Sequence, residues 1–424
     1  MKSKLYVLTI LSIWASLYFF NPFNALSEKT GKFIYYFLSL CILFIAYKRK
    51  TVFKKDVFLG VYAVLMIGIC FSTIMPTFSS QNQHFFITLQ ATLPFIFGYL
   101  LFFITLKLDL PLQRIEKAML ILGFFSMFVF AINFITAPHY VFGAEADNLD
   151  ISRGVTRIRT PMSYIFFIYF YGINKWLNTE NRKWLYVVLL SLFFIILSVT
   201  RQNIMLSMVL GFFFLIKKIR WQKKVAVVLL TFLFAQFILP QIPLYNHLQQ
   251  LTTEQRMKNE EEDDIRIRAY HFYTIELQAN ELTPYLGNGV PSFGNSPWGN
   301  HVDKTTQFNR CFAADIGWGG FYYYFGLVTT LTLASLFMIA IFIRKKKEYE
   351  YTSYILIMIA LKAFVSGPIL YNQEIVFLML IFYIVYTQKR ISACHIPAKQ
   401  HLKGTHNQLY YEIHRTYYPQ LQQL

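Results

Sequence analysis

Arginines in three polar segments mark the candidate chemistry of this chain. The segments interrupt long apolar runs, and guanidinium groups bind phosphate oxygens through paired, charge-assisted hydrogen bonds. We therefore predict binding of a diphosphate-bearing substrate, with ion pairs to nearby acids as the structural alternative. The arginines are Arg153, Arg157 and Arg159 in the first segment, Arg201 in the second, and Arg266, Arg268 and Arg310 in the third.

Three residues of the third segment are candidates for moving a proton. His271, His301 and Asp315 carry imidazole and carboxylate groups, which titrate in the range that general base catalysis uses. The structural alternatives are solvated or capping histidines, and capping by Asp315 of the helix that starts near Gly317. No set of His, Cys and carboxylates has the spacing of a metal site, so we expect neither metal nor cofactor.

These considerations give a set of candidate site residues. Arg201 is predicted in a three-residue turn, 201–203, between two apolar helices, where a charge is costly unless an anion partners it. We assign catalysis to Arg201, Arg266, His271 and Asp315, and substrate binding to Arg153, Arg157, Arg159, Arg268, His301 and Arg310.

The elements that must position these residues are apolar helices. The chain has 424 residues, is 55% hydrophobic and has a mean hydropathy of +0.40. A helix needs about 20 apolar residues to cross a bilayer. We predict an all-α, polytopic membrane protein with about twelve transmembrane helices. The apolar segments are 5–20, 33–47, 57–75, 85–106, 118–136, 161–171, 184–200, 204–216, 225–239, 317–343, 354–370 and 375–387.

The basic residues orient the predicted bundle. With the amino terminus in the cytoplasm, 27 of the 40 Lys and Arg residues fall on the cytoplasmic side and 12 outside, as the positive-inside rule expects. The net charge of +18 therefore indicates topology rather than nucleic-acid binding. We predict one domain, 1–388, with both termini cytoplasmic and a polar tail, 389–424. One long outer loop, about 240–316, joins helices 9 and 10 and contains a helix over 265–277.

Four short motifs around this loop resemble those of a known family. They are Asp264-Ile-Arg-Ile-Arg-Ala, Leu286-Gly-Asn-Gly-Val-Pro-Ser, Phe312-Ala-Ala-Asp-Ile-Gly-Trp-Gly-Gly-Phe and Tyr324-Phe-Gly-Leu-Val. Their order, and the basic turn several crossings earlier, resemble the bacterial oligosaccharide repeat-unit polymerases of the O-antigen polymerase and ligase superfamily.

The resemblance implies a metal-independent membrane glycosyltransferase. It would join repeat units carried on undecaprenyl diphosphate at the outer face of the bacterial inner membrane, in capsule or O-antigen polysaccharide biosynthesis. Arg201, Arg266 and Arg268 would hold the diphosphate leaving group, and a carboxylate or histidine would accept the proton. Partners would be the lipid-linked oligosaccharide and membrane lipid, with a chain-length regulator and a flippase as candidates. The alternatives are an O-antigen ligase and a lipid-linked oligosaccharide flippase or other transporter.

Overall fold

The computed structural model describes residues 28–47, 56–78, 82–137, 139, 141–142, 161–198, 200–218 and 265–394. All regular elements within these ranges are helical. Several predictions lie outside them: the apolar segments 5–20 and 225–239, the outer-loop arginines Arg153, Arg157 and Arg159, the loop portion 240–264, and the tail from 395 onward.

Fourteen α-helices are present in the described ranges. Arg201 is the first residue of one of them, so the predicted turn over 201–203 is wrong: the chain turns just before it, and the Thr200 carbonyl accepts the first helical bond from Ile204 N at 3.1 Å. The helices are α1 Glu28–Tyr47, α2 Val57–Ser72, α3 Met75–Phe78, α4 Phe85–Leu108, α5 Leu112–Thr136, α6 Met162–Thr179, α7 Arg182–Leu197, α8 Arg201–Lys218, α9 Ile265–His271, α10 Thr283–Leu286, α11 Pro297–Asn309, α12 Gly317–Phe342, α13 Tyr351–Lys362 and α14 Asn372–Cys394.

Ten of the twelve predicted apolar segments coincide with helices. Four helical stretches are long and apolar enough to cross a membrane: Val57–Thr77, which joins α2 to most of α3, and the helices Phe85–Leu108, Leu112–Thr136 and Gly317–Phe342. This agrees with the predicted all-helical membrane protein, while the count of twelve spans remains a prediction. Two ends differ from expectation, since α13 stops at Lys362 instead of continuing to 370, and α14 continues through the first residues of the predicted tail to Cys394.

Aromatic side chains fill the space between the packed helices. The pairs α2 with α12, α4 with α14 and α6 with α7 lie along one another, and their facing surfaces are buried. The Tyr62 ring, for example, lies 4.5 Å from Phe102, which also contacts Phe58 and Tyr386. Such rings bury large areas and favour tilted or edge-to-face contacts, which fixes the helices relative to one another.

Contacts between the ends of the helices fall into two groups. At one end, which we call the loop end, Gln83 bonds to the 290–296 segment, Ser163 to Glu374, and Gln202 to Lys362. At the other, the link end, Asn174 bonds to Glu348, Lys389 to Asp56, and Tyr383 to Leu110. Successive helices therefore run between the two ends in alternation, which is the arrangement that the charge pattern predicts.

Candidate functional site

Helix α9 carries three of the six candidate residues of the loop, Arg266, Arg268 and His271, and continues into a π-helical turn, Phe272–Glu276. The predicted helix over 265–277 is confirmed in place, but its last part has the wider π hydrogen bonding. A π turn adds one residue, so the α-helical spacing of side chains does not continue through it: Arg266 before the turn is exposed and Leu277 after it is buried. Single π turns of this kind occur frequently at functional sites.

The π turn brings His271 and Glu276 together. The His271 Nδ1 atom lies 2.8 Å from Glu276 Oε1, and both side chains are more than half exposed. Residues five apart lie above one another in a π-helix, whereas α-helical spacing would separate them. Glu276 was therefore not predicted from sequence, although a carboxylate that orients an imidazole is what a histidine base requires.

Arg268 and Arg310 lie near each other. The Arg268 guanidinium donates to the Asn309 carbonyl oxygen at 3.3 Å, at the carboxyl end of α11, where helix carbonyls favour a cation. Arg310 follows Asn309 as the residue that ends α11, in the left-handed conformation with φ 53°, and it is exposed. His301 lies earlier on the same helix, exposed, with its ring 5.8 Å from that of Trp298.

The described part of the loop has its own small apolar core. Ala269, Phe272, Tyr273, Val302 and Ile316 are buried together against the start of α12. The Tyr273 hydroxyl donates to the Cys311 carbonyl at 3.2 Å, and burial raises the pKa of Tyr273. This described part of the loop is thus a packed unit that holds α9 and α11 in fixed positions.

Gln83, which lies just before α4, joins this unit to the bundle. Its side-chain amide donates to the Val290 carbonyl at 2.9 Å, and its carbonyl accepts from Ser292 N at 3.0 Å and Ser296 Oγ at 2.7 Å. Gln83 is 1% exposed, and its bonds to the Val290 carbonyl and to Ser296 Oγ are buried. Nothing in its sequence context distinguishes it, because the bonds cross more than 200 positions of chain.

The Leu286-Gly-Asn-Gly motif closes a break in α12. Gly326 has φ 78°, a left-handed conformation that interrupts the helix. Carbonyls before the break accept from the loop instead: Asn288 N donates to Tyr323 O at 2.9 Å and Gly289 N to Tyr324 O at 3.0 Å. These bonds supply the partners that buried backbone carbonyls need. They also bring the motif that starts at Leu286 into contact with the motif that starts at Tyr324.

Asp315 lies in a single 3₁₀ turn, Ala313–Asp315, and is exposed. The N-cap position of α12 is Ile316, which makes no side-chain capping bond, and Asp315 lies one position before it. The start of α12 is instead held by backbone contacts. Gly317 N donates to Ser366 O at 3.1 Å and Trp318 N to Ala363 O at 2.9 Å. A Cβ atom on Gly317 would collide with the Ser366 carbonyl, which explains the glycine.

The segment 362–367 begins at the last residue of α13 and joins the elements that carry the candidate residues. Two of its carbonyls accept the bonds from α12 described above, and two more accept bonds from side chains. Gln202 Nε2 donates to Lys362 O at 3.2 Å, and the Tyr270 hydroxyl donates to Phe364 O at 2.9 Å. The start of α8, which carries Arg201, and the start of α12, which follows Asp315, thus both contact this short segment. Helix α9 contacts it as well. Arg201 itself is partly buried.

Comparisons with known proteins, and a search for metal-site geometry, do not identify a family or a metal site. No protein-family model and no curated protein matches the chain. Over the described residues, no group of three His, Cys, Asp or Glu side chains has the arrangement of a metal site. The described candidates, namely Arg201, Arg266, Arg268, His271, His301, Arg310 and Asp315, all belong to elements of the loop end.

Proposed function

We propose that this protein is a membrane glycosyltransferase that joins oligosaccharide repeat units carried on undecaprenyl diphosphate. The observation that carries the proposal is the convergence of α8, α9 and the start of α12 on residues 362–367. A cationic helix start, an arginine-bearing helix with a His–Glu pair and a carboxylate are the groups that transfer from a diphosphate-linked sugar requires.

Each group has a role in this reaction. Arg201 and Arg266 bind the diphosphate and stabilise the charge it acquires as the bond between the anomeric carbon and the diphosphate oxygen breaks. An acceptor hydroxyl attacks the anomeric carbon and forms the new glycosidic bond, and its proton passes to His271, which Glu276 orients through the 2.8 Å contact. Asp315 is the second candidate for the base, and Arg268, Arg310 and His301 bind the glycan or its carrier.

Reconstitution with a defined substrate tests the proposal. Purified protein in liposomes, supplied only with lipid-linked repeats and chelator, should lengthen the glycan. Arg266→Ala/Arg268→Ala should lower turnover, and each lost charge-assisted contact of about 1.5–3 kcal/mol corresponds to roughly 10- to 150-fold. The matched control is Arg182→Ala/Arg344→Ala, two exposed arginines of the link end, and it should keep full turnover.

Two other results would redirect the proposal. Movement of the lipid-linked repeat across the bilayer without a new glycosidic bond would make the protein a transporter. Transfer only to a lipid A core acceptor would make it a ligase.

Sidedness provides an independent test. In a cysteine-free background, Lys304→Cys on α11 should react with an impermeant maleimide added outside intact cells. Lys346→Cys, an equally exposed position on the link end, should react only after permeabilisation. The opposite labelling pattern would put the loop end in the cytoplasm, where an outer-face polymerase cannot have its site.

A further inference from the structure

Lys362 is a cation whose position at the loop end is not explained by an acidic partner. It is the last residue of α13, in an otherwise apolar helix, and it is partly buried. Its ammonium group lies 5.6 Å from the centre of the Phe166 ring. Across the described residues, no carboxylate contacts it, whereas the ammonium groups of Lys217 and Lys389 each lie within 4 Å of a carboxylate oxygen.

A ring face compensates only part of the cost of removing a lysine charge from water. Charged residues at membrane depth are expensive and generally face an interior pathway or a partner. The Lys362 side chain meets the ring of Phe166 on α6, a helix whose residues are buried over most of its length, so it is directed toward the bundle.

The backbone of Lys362 is tied directly to the helix start that carries Arg201. Gln202 Nε2 donates to the Lys362 carbonyl at 3.2 Å, and the Ser366 hydroxyl donates to the same oxygen at 3.0 Å. Because Gln202 follows Arg201 in the chain, this bond holds the two cation-bearing helix ends, the start of α8 and the end of α13, next to each other.

We propose that Lys362 is a further cation of the diphosphate site, acting with Arg201 and Arg266. The inference rests on the proposed function, since it assigns a further residue to the same lipid diphosphate. A diphosphate linked to both sugar and lipid carries two negative charges and gains a third as it leaves, and the two guanidinium groups of Arg201 and Arg266 do not compensate that third charge. Arginine supplies paired bonds to one phosphate, and lysine supplies a compact point charge that suits the other.

Equilibrium binding to a lipid without a glycan tests this assignment. The full-length protein in nanodiscs is titrated with undecaprenyl diphosphate, and undecaprenyl monophosphate is titrated in parallel. We expect Lys362→Met to raise the Kd for the diphosphate about 10- to 100-fold and to reduce the salt dependence of binding. Lys362→Arg should retain most of the affinity. Lys346→Met, at an exposed lysine of the link end, should bind as the unaltered protein does.

The outcomes separate this inference from the proposed function. If the protein extends glycans but Lys362→Met binds the diphosphate with unchanged Kd and salt dependence, the inference is overturned and Lys362 is an interfacial lysine. If binding depends on Lys362 but no glycan is extended, the inference stands and the polymerase proposal fails. Inorganic pyrophosphate that competes at low concentration would show that the head group alone is recognised.

An unchanged unfolding temperature for Lys362→Met would assign its weaker binding to the lost charge. If that variant does not fold, Lys362→Gln is titrated in its place. An equal loss for the monophosphate lipid would contradict a role for Lys362 at the second phosphate.

Discussion

The two ends of the helix bundle use their charged residues differently. At the link end, cations are matched by structural partners: Lys389 lies 2.8 Å from Asp56, and Lys217 lies 3.6 Å from Glu350. Lys345 donates to the Ile341 carbonyl at 3.0 Å and to Ser353 Oγ at 2.7 Å. Burial, with a contribution from nearby Lys217, lowers the pKa of Lys345 to about 8.

At the loop end, neutral hydrogen bonds do the structural work. Gln83, Tyr270, Gln202 and the backbone amide of Gly317 make the contacts that fix the loop on the bundle. Lys362 contacts a ring face and Arg268 a carbonyl. We expect the loss of a paired link-end cation to affect stability, and the loss of Lys362 to affect the binding of an anionic substrate.

The largest expected effect is the loss of polymer in Arg201→Ala. Arg201 and Arg182 are both first residues of helices, at opposite ends of the bundle. Both lie at a positive helix end, where a cation is unfavourable unless it has a function or an anionic partner. We expect polymer below detection for Arg201→Ala at normal protein level, and little recovery in Arg201→Lys, because a point charge does not reproduce bidentate contacts. Polysaccharide from whole cells is the measurement.

Arg182→Ala is the matched control and should make polymer normally. Full-length polysaccharide from Arg201→Ala would remove the contrast between the ends. Equal loss in both variants would mean that helix-end arginines have the same structural role throughout the bundle.

His271 and Glu276 are the exception to the contrast, because a titratable side chain of the loop end contacts a carboxylate there. If the pair is catalytic, His271→Ala should lower turnover by about 10²- to 10⁴-fold, the usual contribution of a general base. Glu276→Gln should have a smaller effect, since it removes the orienting charge and keeps the base. Single-turnover rates with lipid-linked repeats measure both, and His84→Ala, an exposed histidine at the same end, should be unaffected. Normal rates in His271→Ala would make the pair a surface contact and leave Asp315 as the base.

Apolar periodicity was sufficient to predict the long helices of the described residues, and α9 within the loop, but not the helices α3, α10 and α11. The sequence pattern did not predict that Arg201 begins a helix, because the position of the turn before α8 depends on tertiary contacts such as that of Gln202 with Lys362. The His271–Glu276 pair was missed because an α-helical repeat was assumed where the chain forms a π turn. The break at Gly326 depends on loop residues far along the chain, which local pattern does not include.

A smaller effect is expected from glycine substitutions that compare packing at the loop end with an open helix surface. A side chain on Gly317 meets the Ser366 and Ala363 carbonyls, whereas one on Gly60 has nothing within 4 Å. Gly317→Ala should destabilise the protein by about 1–3 kcal/mol, as overpacking does. Gly60→Ala should be neutral or stabilising by up to about 1 kcal/mol through helix propensity. Thermal unfolding in detergent measures both, and a stable Gly317→Ala would contradict the close approach of α12 to residues 363–366.

The smallest expected effect belongs to the Asp56–Lys389 pair, which tests the structural side of the contrast. Burial alone would raise the pKa of Asp56, but the hydrogen bonds from Lys389 and Phe58 N outweigh it and lower the pKa below its usual value. A lowered carboxylate pKa stabilises the fold above the unfolded pKa of about 3.9, and this contribution is lost as the pH falls through the folded value.

Because both side chains are partly exposed, Asp56→Asn should cost no more than about 1 kcal/mol near neutral pH. The difference in unfolding temperature between this variant and the unaltered protein should shrink below about pH 4. Glycan extension should stay unchanged, since Asp56 lies at the opposite end from the candidate site. A loss of turnover at unchanged stability would mean that the link end also takes part in the reaction, and the separation of structural from functional charge between the two ends would no longer hold.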